Sequence, residues 1–77
     1  MAERKTYYVN PRDDGRWEVI AEGASRASAV ENTKAETVRR GAEIARNHGH
    51  SQLIVRKLDG KFQEERTYGD DPYPPPG

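Results

Sequence analysis

The sequence contains no cysteine, which excludes disulfide bridges and thiolate metal sites and favours a reducing, intracellular compartment. It also lacks any apolar run near the roughly 20 residues that cross a bilayer. Residues 1–5 are largely polar, with no signal-like apolar run behind them. We therefore expect a cytoplasmic protein without a membrane partner.

Large apolar side chains and an excess of one charge are also scarce. Hydrophobic residues make up 32% of the 77 residues and aromatic residues 8%, while 13 basic side chains balance 13 acidic ones. A domain this small buries a modest core, and association with another chain is an ordinary way to bury more surface. The missing positive excess lowers the expectation of a nucleic-acid binder.

Two segments with period-two patterning, residues 6–11 and 17–22, flank an aspartate-glycine turn signal. A three-residue loop at 13–15 would pair Val9 with Val19. A two-residue Asp-Gly turn would instead put the two valines on opposite faces. We prefer the longer loop because it collects four side chains on one face: Tyr7, Val9, Trp17 and Val19.

A helix is predicted to begin at Thr33, which forms a capping-box pattern with Glu36. Gly49 is a typical helix stop. Gly41 is a mild conflict within the helix, although small residues permit a close approach to a sheet. The expected inward stripe follows helical spacing: Ala35, Val38, Ala42 and Ala45, with Ile44 beside it.

Strand-like segments at 52–57 and 62–68 follow the helix. A two-residue Asp-Gly turn between them would put Leu53, Val55 and Phe62 on one face. The order predicts an α+β fold, a single ββαββ domain at 6–69 with two hairpins in one antiparallel sheet and the helix packed on one face. Residues 1–5 are expected to be flexible, and residues 70–77 form a proline-rich C-terminal tail.

Several stretches, which together span nearly the whole chain, form a familiar pattern: Tyr7-Tyr8-Val9, Asp14-Gly15-Arg16-Trp17-Glu18-Val19, Glu22-Gly23-Ala24-Ser25-Arg26-Ala27, Thr33-Lys34-Ala35-Glu36, Asp59-Gly60, Glu65-Arg66-Thr67-Tyr68-Gly69 and Asp71-Pro72-Tyr73-Pro74-Pro75-Pro76-Gly77. With these stretches the chain resembles a family of short bacterial and phage proteins known as domain-of-unknown-function family 2188. The resemblance implies a compact strand-strand-helix-strand-strand domain and brings no activity, cofactor or site residues with it.

Residue patterns that carry chemistry are not evident. His48 and His50 have no cysteine or third histidine to complete a typical zinc site. The serines lack a nucleophile elbow, and the glycines lack phosphate-loop or dinucleotide spacing. We therefore predict that the protein is not an enzyme and has no metal, cofactor or small-molecule substrate.

Because no catalytic pattern is evident, we expect the function to be binding through a surface of the domain. Our leading prediction is a non-enzymatic interaction module that binds protein, or itself, through the sheet face away from the helix, although scattered apolar residues on a surface are also ordinary. The expected contacts on that face are Tyr8, Ile20, Ile54 and Arg56.

The alternative is a nucleic-acid-binding accessory protein. Its expected contacts are Arg26, Lys34, Arg39 and Arg40, with Arg56. Acidic neighbours on the helix argue for a solvated surface with internal ion pairs instead. A further candidate is the PxxP sequence that begins at Pro72, which fits an aromatic groove as polyproline II.

Overall fold

The computed structural model describes residues 4–69. The expectations for a flexible N-terminus and for a proline-rich tail with a PxxP motif fall largely on residues 1–3 and 70–77, which lie outside the described residues. The elements in chain order are β1 (Lys5–Pro11), β2 (Trp17–Ala21), β3 (Ala29–Glu31), α1 (Lys34–His48), β4 (Ser51–Arg56) and β5 (Phe62–Tyr68).

The strands form one five-stranded sheet in the order β3-β2-β1-β4-β5. β1 and β4 pair in parallel at the centre, and the other neighbouring pairs are antiparallel. The predicted antiparallel ββαββ sheet of two hairpins is therefore wrong. Parallel neighbours require a long crossover, which α1 supplies here together with β2 and β3. The sequence patterns predicted no element for β3, because three residues carry too little periodicity to reveal a strand.

The pairing of β1 with β2 confirms the predicted register. Val9 lies opposite Val19 and Pro11 opposite Trp17. The Arg12 amide donates to the Arg16 carbonyl at 2.8 Å, closing the three-residue loop. Gly15 in that loop has φ 88°, a conformation that favours glycine.

The β4–β5 hairpin differs from the prediction near its turn. The Lys57 amide donates to the Lys61 carbonyl at 2.8 Å, so this loop also holds three residues. The register then shifts by one position between Val55 and Arg56, which leaves Gln63 as a β-bulge. Phe62 consequently lies opposite Arg56 and is 58% exposed, so its predicted place beside Leu53 and Val55 is wrong.

The core lies between α1 and one face of the sheet. The predicted inward face of the first hairpin is confirmed, with Val9 and Val19 fully buried and Trp17 only 9% exposed. Of the predicted helix stripe, Ala42 and Ala45 are buried, Val38 and Ile44 pack partly against the core, and Ala35 is exposed.

Two helix features follow directly from local chemistry. The Glu36 amide donates to the Thr33 hydroxyl oxygen at 3.1 Å, which confirms the predicted N-cap. Gly41 faces the sheet, where an added Cβ would lie 2.9 Å from Leu53 Cδ1. A glycine at this position therefore allows α1 to approach the sheet closely.

Candidate protein interface

The sheet face opposite α1, which we call the open face, carries an apolar central row. Tyr8 on β1 lies beside Ile20 of β2 on one side and Ile54 of β4 on the other. All three side chains are partly exposed. Strand alternation produces this row, because Tyr7 and Val9 on either side of Tyr8 point into the core.

A second row runs beside the first and extends to both edges of the sheet. Glu18 pairs with Val30 on one side and Asn10 on the other, and Arg56 pairs with Phe62. Asn10 follows Val9 on β1, and Arg56 follows Val55 on β4. Because Val9 and Val55 pair in parallel, Asn10 and Arg56 are neighbours too. The second row across the sheet is Val30, Glu18, Asn10, Arg56 and Phe62.

The charges of the open face are held by nearby groups. The Arg56 guanidinium lies over the Tyr8 ring, 4.8 Å from its centroid. Arg12 Nη1 lies 3.1 Å from Glu18 Oε1. The amide of Gln52 donates to the Glu65 carboxylate at the edge of the central row. These contacts position charged groups around the apolar residues.

One polar atom on the open face has no hydrogen-bond partner. Asn10 Oδ1 is buried and receives no hydrogen bond from the described residues. A buried acceptor without a donor costs about 1–3 kcal/mol.

The structure brings together all four residues that were predicted for a protein interface: Tyr8, Ile20, Ile54 and Arg56. Sequence reasoning missed Val30, which lies in the unrecognised β3, and Phe62. The second Asp-Gly turn nevertheless contained a signal for the position of Phe62 in the sheet. Asp59 accepts from the Lys61 amide at 2.9 Å, as Asp14 accepts from the Arg16 amide at 3.0 Å. Treating both turns as the same three-residue loop would have placed Phe62 opposite Arg56.

The basic residues predicted for nucleic acid do not form one surface. The Lys34 ammonium lies 5.4 Å from the centroid of the Trp17 ring and contacts Gln63. Arg40 lies 3.7 Å from Glu43. Arg39 is exposed on the helix, Arg26 lies in the loop between β2 and β3, and Arg56 is on the opposite side of the sheet.

Acidic side chains stand among the helix cations. Arg39 and Arg40 share one shallow depression with three glutamates, Glu31, Glu36 and Glu43. The negative charges of these carboxylates would repel a phosphate group at this position. The geometry therefore favours a solvated, mixed-charge helix surface.

An open cleft of about 680 Å³ lies at one end of the sheet. Its lining includes Lys5, Glu22, His48 and His50. His48 also makes an edge contact with the Tyr7 ring, with centroids 6.4 Å apart. Among the described residues, no group of three or more His, Cys, Asp or Glu side chains is arranged to hold a metal ion.

Shifted carboxyl groups lie outside this cleft and have local causes. The pKa of Asp14 in the first turn is lowered mainly by a hydrogen bond from the backbone amide of Arg16. The Arg66 side chain, which donates to Glu64 at 2.6 Å, lowers the pKa of that carboxyl group. Both shifts thus arise mainly from local hydrogen bonds, from a backbone amide at Asp14 and from a guanidinium at Glu64. None of the helices in the described part of the chain has the length and apolar character needed to span a membrane.

Comparison with known proteins supplies the family. The chain is 43% identical over 53 residues to the uncharacterized protein YdaT of Bacillus subtilis, a match that covers 69% of this chain and 35% of YdaT. The matched part of the chain thus spans about a third of the length of that relative. No solved structure matches the chain. Residues 7–68 match DUF2188, described as an uncharacterized protein conserved in bacteria, and the chain belongs to that family.

Proposed function

We propose that this chain is a protein-interaction module whose binding surface is the open face of the sheet. The observation that carries the proposal is the position of Phe62. The three-residue loop at 58–60 sets Phe62 opposite Arg56, away from the core, and the ring is 58% exposed. An exposed aromatic ring next to an apolar row is typical of a binding surface.

The apolar residues of the open face form a band across the whole sheet. We call this band the apolar patch: Tyr8, Ile20, Val30, Ile54 and Phe62. Full burial of each large side chain contributes about 1.5–3 kcal/mol relative to full exposure, and part of that contribution remains available here.

Charge favours a protein partner over a nucleic acid. Glu18 and Glu65 belong to the same face of the sheet as Arg56, and their carboxylates repel phosphate. The cations of α1 lie on the other side of the sheet, among glutamates. A protein surface can pair with mixed charges around an apolar centre.

Site-specific photo-cross-linking tests the proposal. A photoreactive phenylalanine analogue replaces Phe62 in one variant and Leu58 in the control. Leu58 is 78% exposed in the β4–β5 loop, so it matches Phe62 in exposure but lies outside the apolar patch. We expect protein adducts from position 62 and few from position 58.

A second substitution checks that the adducts come from the open face. Ile54→Lys in the position-62 variant should remove the adducts while circular dichroism shows a folded domain. Equal adducts from positions 58 and 62, or adducts that persist with Ile54→Lys, would show that the open face does not bind protein.

A further inference from the structure

We infer that the occupant of the open face is a second copy of this chain, packed face to face about a two-fold axis parallel to β1. The inference rests on the proposed function and names the partner for the same surface. Its basis is the arrangement of residues about β1, the central strand of the sheet. In a two-fold dimer the same patch serves both copies, so the patch must be complementary to itself.

The central row meets this requirement. Rotation by 180° about β1 exchanges the positions of β2 and β4, which flank it. Ile20 of one copy then faces Ile54 of the other, and Tyr8 faces Tyr8. Apolar side chains therefore meet apolar side chains along the whole row.

The second row is complementary in charge as well as in polarity. The same rotation brings Glu18 of one copy to Arg56 of the other, twice in the dimer. It also exchanges the two sheet edges, so Val30 faces Phe62. Opposite charges meet on each side of the axis, and the apolar edge residues meet outside them.

A two-fold axis along the central row would be unfavourable. That rotation keeps each strand above its own counterpart and reverses the strand direction. Glu22 follows β2 on the other side of the central row from Glu18, and its amide donates to the Thr6 carbonyl at 2.8 Å. Glu18 of one copy would then approach Glu22 of the other. Like charges facing each other oppose association, so the axis parallel to β1 is the one that the charges select.

The size of the face sets the strength of the dimer. Five strands about 4.8 Å apart and a few residues of each strand give a face of roughly 300–400 Å². A standard interface buries about 800 Å² on each partner. The dimer is accordingly weak and dissociates on dilution.

Charge-swap variants test the pairing of Glu18 with Arg56. Glu18→Arg alone sets arginine against arginine across the interface, and Arg56→Glu alone sets glutamate against glutamate. An equal mixture of the two variants restores both opposite-charge pairs in a mixed dimer. Leu58→Ser, in the loop outside the face, is the matched control.

The measurement is sedimentation equilibrium of the full chain over a wide concentration range, with thermal melts to confirm that each variant is folded. We expect the wild type and the control to shift from 8.7 kDa towards twice that mass as concentration rises. Each single variant should dimerise at least about tenfold more weakly, and the mixture should regain dimer formation.

Two results would overturn the inference. One is a wild type that stays at 8.7 kDa up to about millimolar concentration, where even weak association is populated. The other is a dimer whose affinity the variants do not change or the mixture does not restore. Adducts from position 62 to a different protein would, in either case, leave the proposed function standing without the second copy.

Discussion

Gly41 determines how closely the helix approaches the sheet. Its missing side chain leaves room for Leu53 and Val19, both fully buried. We expect Gly41→Ala to lose about 1 kcal/mol of stability, because overpacking costs about 1–3 kcal/mol and the helix gains only about 1 kcal/mol from alanine. Urea denaturation measures this change. A variant more stable than the wild type would show that Leu53 moves aside freely.

Trp17 and Phe62 are aromatic residues with opposite environments, 9% and 58% exposed respectively. Trp17→Ala should cost about 3–5 kcal/mol, since it empties a large volume between the sheet and α1. That loss is comparable to the whole stability of a small domain. Phe62→Ala is the control and should change the melting temperature little in dilute solution. A cooperative wild-type-like melt for Trp17→Ala would contradict the assigned core.

Among the elements, β5 carries an irregularity that a deletion can test. Phe62 and Glu64 keep their partners Arg56 and Val55 on either side of the bulge at Gln63. Deleting Gln63 should therefore restore a regular ladder and leave a cooperative melt. Deleting Glu65 instead breaks a regular stretch and moves one part of the strand by one position, which reverses its faces.

Thermal melts of the two deletion variants, followed by circular dichroism, distinguish these outcomes. We expect the Gln63 deletion to stay close to the wild type and the Glu65 deletion to melt at a much lower temperature. Equal losses in the two variants would mean that the bulge is required for the fold.

The parallel pair at the centre of the sheet is a property of the whole molecule, and the absence of cysteine makes it easy to test. Thr6 on β1 lies beside Gln52 on β4, and Thr67 lies one strand further away. Cysteines at positions 6 and 52 should form a disulfide under mild oxidation, because neighbouring strands have suitable Cα distances. Cysteines at 6 and 67 should stay reduced, since two strand spacings are about 9.6 Å.

Thiol titration after oxidation reads out both pairs. Efficient oxidation of the 6/67 pair, with the 6/52 pair still reduced, would contradict the strand order β1-β4-β5.

Local residue chemistry alone determined the parts of the fold that form over short distances. The Thr33 cap and the loop that pairs Val9 with Val19 depend on a few adjacent residues and their backbone angles. Strand alternation was likewise enough to predict that Tyr8, Ile20, Ile54 and Arg56 share a face.

Only the tertiary structure decided the rest. The parallel contact of β1 with β4 joins residues 46 positions apart, and no turn between them specifies it. β3 is a strand because it pairs with β2, not because three residues have strong strand preference. The three-residue loop at 58–60 places Phe62 on the open face, and the bulge at Gln63 reconciles this loop with the pairing of Leu53 and Val55 further along the hairpin. The sequence identifies each of these residues, but contacts between distant strands determine which surface the residues form together.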